Sequence, residues 1–300
     1  MVVHSLTRMQ CITYFVMTCS RPRWQQTRAH IGLALFVAFA HRHLSGGCAT
    51  TVVAPGSLLG SEIACFGDSH TRGVCGAPWL PKLQARLGRP CVNQGVDGQC
   101  ASAIACRAAT SPIARDAVVL AGTNDALLEL SWRAGNKAMF GMYMKQNELP
   151  DGYEPSQASF GVAFRGLLAA VKAQRVIVVS LPPLGEAENG LAADVIAAYN
   201  CEIRSAVLND PRAEYAPFSE EMKGRLLRTG GAPFDASRSG FNAAVKDMFL
   251  HRALRGVPLG PSFDRLARRL GRRAVHDGIH LTEASAEILV DVLADVFGKR

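Results

Sequence analysis

From Ser61 to its C-terminus the chain alternates short apolar runs, turns and amphipathic segments, the pattern of βα units built around a parallel sheet. Five runs predict strands: Ser61–Phe66, Pro90–Asn93, Ala117–Ala121, Arg175–Ser180 and a short piece near Tyr215. The third and fourth are continuous apolar runs, as expected of strands buried on both faces. Between them, Trp79–Leu87, Phe160–Ala173 and Leu191–Leu208 place apolar residues at helical spacing, with breaks at Pro182-Pro183 and Asn189-Gly190. Thr282–Phe297 has a threonine at its expected N-cap, Glu283 in its first turn and Gly298 after its end, which predicts a helix packed on the sheet. Two stretches fit poorly, Ser131–Ser156 and Phe218–Pro261. Long connections of this kind are functional lids or extra helices.

Charge changes the picture at one end only. Residues 1–61 hold five Arg, no Lys and no acidic residue, which leaves 28 of the 33 basic residues against all 25 acidic ones in the remainder. Five of the eight net positive charges therefore belong to the N-terminal segment, and the remainder is close to balance. A nucleic-acid surface needs basic side chains gathered on the folded part. The single run there, Arg265, Arg268, Arg269, Arg272 and Arg273, has the spacing of a solvated helix face, so nucleic acid is disfavoured as a partner.

Within that N-terminal segment, Ile31–Ala40 is a ten-residue apolar run preceded by Arg21, Arg23 and Arg28 and closed by Ala38-Phe39-Ala40. It resembles a secretory signal and is too short for a stable membrane span, which needs roughly 20 apolar residues. Thirty residues is long for the stretch before such a run, and a start at Met17 would shorten it. An Arg-rich, acid-free composition also suits an organelle transit peptide, and Ser45-Gly46-Gly47-Cys48 faintly resembles a lipoprotein site without its usual Leu. Residues 1–60 are read as a targeting or disordered leader and 61–300 as one domain. A secreted or organelle location is favoured, and a cytoplasmic one stays open. The nine Cys include no C-x-x-C pair, so neither a zinc site nor a redox dithiol is indicated, and Cys65 and Cys100 read as small core residues.

In an open α/β sheet, ligands bind outside the carboxyl ends of the strands, so the residues after each strand carry the chemistry. After the first comes Gly67-Asp68-Ser69-His70-Thr71; after the second, Asn93-Gln94-Gly95-Val96-Asp97-Gly98; after the third, Gly122-Thr123-Asn124-Asp125. Near the C-terminus lies Asp277-Gly278-Ile279-His280-Leu281. A Ser hydroxyl is a weak nucleophile unless an imidazole takes its proton, and a carboxylate improves that imidazole by fixing its tautomer. Asp277 and His280 supply both groups on one loop. Acyl transfer also needs donors for the developing oxyanion, which the Asn124 amide and the N–H groups of Gly98 and Ser69 can provide.

Together these blocks resemble the GDSL-like, or SGNH, hydrolases, whose name records the Ser, Gly, Asn and His of four sequence blocks. The resemblance runs from about Ser61 to Phe297. It implies a three-layer α/β/α sandwich with a mostly parallel five-stranded sheet in flavodoxin-like order, and a serine esterase acting on a carboxylic ester with a small or medium acyl group. It further implies Ser69 as nucleophile, Gly98 (with Gly95 as a second register) and Asn124 as oxyanion donors beside the Ser69 N–H, and Asp277 and His280 as the remaining catalytic pair. No metal or cofactor is implied. The implied substrate is a small-molecule, lipid or glycan ester.

His70 departs from the pattern, standing where the family name has Leu; it either tunes the substrate pocket or is a capping or solvated histidine. His276 lacks the family's three-residue spacing from Asp277 and is not expected to be the base. Ser180-Leu181-Pro182-Pro183-Leu184-Gly185 is expected to turn the chain at the pocket rim. Trp132, Phe140, Met142, Tyr143 and Met144, with Phe241, Met248 and Phe249, either line an acyl pocket or form the cores of helical insertions. Two alternatives remain: an acyltransferase passing an O-acetyl group to a glycan or alcohol, which a hydrophobic lid at Trp132–Met144 would favour, and a non-catalytic binding module on the same fold.

Overall fold

The computed structural model describes residues 58–227, 230–257 and 259–299. The 1–60 leader, with its Ile31–Ala40 run, lies outside them except for residues 58–60, which already belong to the first strand. Strands β1 (Leu58–Gly67), β2 (Cys91–Gly95), β3 (Ala114–Leu120), β4 (Ala173–Val179) and β5 (Ala213–Ala216) form one sheet in the order β2-β1-β3-β4-β5. Every neighbouring pair is parallel. This is the flavodoxin-like order, with its topological switch point between β1 and β3. Val118, Val119, Leu120 and the run Val176–Val179 have no exposed surface, which is why these two strands were the most legible in sequence.

Helices cover both faces. On one side α2 (Leu80–Leu87), α8 (Phe218–Arg225) and α11 (Glu283–Gly298) pack together; on the other, α3 (Ala101–Thr110), α6 (Gln157–Ala170) and α7 (Leu191–Leu208) do. Phe160 of α6 stacks on Tyr199 of α7 with ring centroids 4.1 Å apart. The helix expected over Phe160–Ala173 stops at Ala170, because Ala173 already pairs with Ala114 as the first residue of β4.

Helices α3 and α4 (Thr123–Arg133) had no counterpart in the hydrophobic pattern. In α4 every residue from Thr123 to Ser131 is buried, so there is no polar face to reveal a period. The two poorly fitting stretches are extra helices: the end of α4 with α5 (Lys137–Gln146) in the first, and α8 with α9 (Arg238–Arg255) in the second. Met139 and Tyr143 of α5 and Phe241 of α9 belong to the core, Phe140 and Met144 pack against it, and Trp132, Met142 and Phe249 are exposed. No helix among the described residues is long and apolar enough to cross a membrane. The arginine run falls partly on α10 (Phe263–Arg269), which buries Phe263, Leu266 and Ala267 and exposes Arg265, Arg268 and Arg269; Arg272 lies beyond it, half-buried beside Gly278.

Candidate active site

β1 ends at Gly67, and Asp68 caps the one-turn helix α1 (Ser69–Arg72) by accepting the His70 N–H at 2.9 Å. Ser69 thus sits on the first turn of a helix at the carboxyl edge of the sheet. Its Oγ lies 3.0 Å from His280 Nε2. The His280 Nδ1–H donates to Asp277 Oδ2 at 2.6 Å, which fixes the tautomer and leaves Nε2 as the acceptor for the Ser69 hydroxyl. Asp277 Oδ1 also accepts the N–H groups of Ile279 (2.8 Å) and His280 (2.7 Å), so one carboxylate folds the loop and orients the ring. Residues 211 positions apart in sequence are joined in one buried chain of hydrogen bonds.

The electrostatics follow from this geometry. Burial by itself would push the His280 imidazole down, but the charge and hydrogen bond of Asp277, with Asp68 and Asp97 behind it, raise it above its ordinary value. Burial would push Asp277 up, and the opposing pull of His280, His276 and their hydrogen bonds holds it well below the usual carboxylate range. Asp68 and Asp125 are each pushed up to about 7 by burial, against the N–H groups of His70 and Ala101 respectively.

Ser69, Gly98 and Asn124, which carry the candidate oxyanion donors, follow β1, β2 and β3, three neighbouring strands of the sheet. Asn124, in the first turn of α4, donates its amide to Asp68 Oδ2 (3.2 Å) and to the Gln99 carbonyl (3.0 Å), which ties the third strand end to the first and second. Gly98 has φ +75°, a backbone conformation that favours glycine, and its Cα faces the end of the Gln146 side chain. Gly95, the other register, spends its N–H on Asn93 Oδ1 at 2.9 Å and packs against the Arg72 backbone.

Four residues brace this arrangement: Asp125 and Gly185 lie in segments that the sequence singles out, but without this role, and Asn147 and Glu186 had no signal in the sequence. Asn147 follows α5 and is buried; its Oδ1 accepts the Cys100 N–H (2.6 Å) and its Nδ2 donates to the Gly98 carbonyl (3.2 Å), bracing the turn that presents Gly98. Asp125 Oδ2 accepts the Ala101 N–H at 2.9 Å, capping α3. Gly185 and Glu186 contact the Asp277–His280 loop from the exit of β4. All four partners are remote in sequence from what they hold, so no spacing rule reveals them.

His70 is neither a cap nor solvated, which corrects the expectation. It is buried, its ring centroid is 5.6 Å from that of His280, and neither ring nitrogen has a hydrogen-bond partner among the described residues. Burial, with His280 nearby, pushes it down to about 3, so it is neutral near pH 7. His276 donates its Nε2–H to the Cys75 carbonyl (2.8 Å) and faces His251 Nδ1 with its own Nδ1 (2.9 Å). Because a carbonyl only accepts, the neutral His276 ring has its lone pair on Nδ1, and His251 donates to it. Both nitrogens are engaged away from Ser69. Cys65 and Cys100 are buried free thiols.

Residues 65–235 match the GDSL-like lipase/acylhydrolase family. No curated protein matches the chain. Among solved structures, the chain is similar to LAE5, an alpha/beta hydrolase enzyme from the metagenome of Lake Arreo, Spain, with TM-score 0.50 and 14% identity over 80% of this chain and 95% of that one. It is also similar to a substituted form of Axe2, an acetyl xylan esterase from Geobacillus stearothermophilus, with TM-score 0.50 and 14% identity over 81% of this chain and 96% of that one. A second substituted Axe2 gives TM-score 0.51 and 13% identity over 83% and 98%. At these identities the likeness speaks for the fold.

Proposed function

This chain belongs to the GDSL-like lipase/acylhydrolase family and is a serine ester hydrolase, and from that premise we propose that Ser69, His280 and Asp277 form its catalytic triad and work through an acyl-enzyme. The observation that carries the reading is the unbroken run from Ser69 Oγ through His280 to Asp277, at 3.0 and 2.6 Å. Ser69 Oγ attacks the ester carbonyl while its proton passes to His280 Nε2. Asp277 stays ionised and stabilises the imidazolium.

The negative charge on the carbonyl oxygen is met by the N–H groups of Ser69 and Gly98 and by the Asn124 amide. Asn124 exchanges one of its bonds, to Gln99 or Asp68, for the oxyanion. As the tetrahedral intermediate collapses, the C–O bond to the alcohol breaks and His280 returns the proton to the leaving oxygen. Water then attacks the acyl-enzyme with His280 again as base, releasing the acid and restoring Ser69.

The acyl group is read as small or medium because the hydrophobic residues of the long connections form no continuous apolar lid: Met139, Tyr143 and Phe241 belong to the core. Trp132 and Met142, the residues that would favour acyl transfer as part of a lid, are exposed, and the intact hydrogen-bonded triad gives the binding-module alternative no support.

The test is labelling of the full chain by a fluorophosphonate probe, with hydrolysis of p-nitrophenyl acetate, butyrate and octanoate and of acetylated xylo-oligosaccharides. Ser69→Ala and His280→Ala are expected to lose labelling and at least 10³-fold in kcat/KM. Added alcohols separate hydrolysis from acyl transfer through the product ratio. Equal hydrolysis by wild type and both variants would remove Ser69 and His280 from the mechanism.

A further inference from the structure

The chain leaving β4 does more than turn at the rim of the site. It grips the loop that carries Asp277 and His280 at two points. At the tip, the Gly185 N–H donates to the Gly278 carbonyl at 2.8 Å. At the base, a single carboxylate oxygen of Glu186 accepts three consecutive backbone N–H groups, those of Arg273 (2.7 Å), Ala274 (2.6 Å) and Val275 (3.1 Å). Glu186 is buried. Successive N–H groups turned onto one anion form a nest, and charge-assisted bonds of this type are roughly twice as strong as neutral ones.

The gripped residues lead directly to the base. Val275 pairs antiparallel with Leu281, the His276 N–H donates to the His280 carbonyl at 3.0 Å, and the Thr282 N–H donates to the Ala274 carbonyl at 3.1 Å. Residues 274–276 therefore form one arm of a closed loop whose other arm, 280–282, carries His280. A shift of the first arm moves the second with it. The Ser69–His280 contact is 3.0 Å, and misplacing a catalytic group by about 1 Å costs on the order of 10²-fold in rate.

We propose that Glu186 is a positioning residue for the base: its carboxylate sets the 273–275 arm and, through that arm, the distance and angle between His280 and Ser69. This rests on the reading that Ser69 and His280 are catalytic. Glu186 touches neither reacting group; it acts through the backbone. Replacing it leaves three N–H groups in a buried site without their acceptor, and the arm relaxes to recover partners.

The experiment compares wild type with Glu186→Gln, Glu186→Asp and Glu186→Ala. It measures kcat and KM on p-nitrophenyl butyrate and the downfield proton resonance of His280 Nδ1–H, identified by its loss in His280→Ala. Glu186→Ala is expected to lower kcat about 10²-fold with KM within about twofold, and to shift or broaden the resonance. Glu186→Gln, which keeps an oxygen acceptor in place, should restore most of kcat. Glu186→Asp keeps the charge but shortens the reach, and should fall between them.

Arg175→Ala, at the far end of the sheet, controls for destabilisation alone and should change neither kcat nor the resonance. Should Glu186→Ala not fold, the Asp and Gln variants carry the comparison. Wild-type kcat and an unshifted resonance in the folded Glu186 variants overturn the proposal. If instead wild type and Ser69→Ala hydrolyse equally, the catalytic reading falls, and the resonance alone decides whether Glu186 sets the loop.

Discussion

His70 sits beside the proposed nucleophile with two buried ring nitrogens and no hydrogen-bond partner for either among the described residues. An unsatisfied buried polar group costs about 1–3 kcal/mol, and an apolar side chain of similar volume removes that cost. His70→Leu is therefore expected to stabilise the protein by about 1 kcal/mol at pH 7. Because the folded-state value is about 3 against 6.5 for a free imidazole, the unfolded chain gains a proton that the folded chain refuses as pH falls between those values. The advantage of the variant widens across that window, and urea midpoints at pH 7 and pH 5 measure it. Equal midpoints at both would mean that the ring costs nothing.

His280 behaves in the opposite sense. Its imidazole is raised above 6.5 and must be neutral to act as a base, so kcat/KM should fall as pH drops through that raised value. In Asp277→Asn the acidic limb is expected to move down and kcat to fall by about 10⁴-fold, since the amide neither raises the imidazole nor holds its tautomer. A limb that stays in place in the variant would remove Asp277 as its cause.

At the scale of elements, the site is a meeting of strand ends braced by helices that the hydrophobic pattern shows poorly. α5 is the clearest case. Its own apolar residues are ordinary, yet the residues at its C-terminal end reach the Gly98 turn: Gln146 donates to the Asp97 carbonyl at 2.8 Å, and Asn147 bridges the Gly98 carbonyl and the Cys100 N–H. Asn147→Ala removes both arms of that bridge and should lower kcat by about 10-fold to 10²-fold, since a looser oxyanion donor weakens transition-state binding more than substrate binding. KM near the wild-type value together with reduced kcat would bear this out, whereas a rise in KM alone would place Asn147 in substrate binding.

Across the whole molecule, chemistry and cohesion occupy opposite ends of the sheet. The carboxyl ends hold Ser69, Gly98 and Asn124. Near the start of β4, Arg175 makes a two-pronged pair with Glu214 of β5 (2.8 and 2.7 Å), donates to the Val296 carbonyl of α11 (2.7 Å) and lies over the Phe297 ring. It ties two strands to the C-terminal helix four residues, roughly 13 Å of strand, before the carboxyl end of β4. Arg175→Ala breaks a largely buried ion pair and should cost about 3 kcal/mol of stability while leaving kcat/KM unchanged. Denaturant unfolding and ester hydrolysis of the same variant measure the two effects. Loss of activity in step with stability would contradict the separation.

The sequence by itself determined the sheet, its parallel character and the set of candidate catalytic residues. Continuous runs such as Ala117–Ala121 and Arg175–Ser180 have no other economical burial, and a nucleophile, an acid–base pair and amide donors recur at strand ends because their chemistry needs those groups there. It did not determine what braces them. Glu186, Asn147 and Asp125 hold backbone groups that are distant in the chain, and a buried acceptor facing a remote N–H leaves no periodicity. The burial of His70 was decided only by packing, because a histidine's solvation depends on neighbours that the fold supplies. α4 was hidden for the same reason: a helix buried on every side shows no amphipathic period, and only the closed tertiary structure gives it a place.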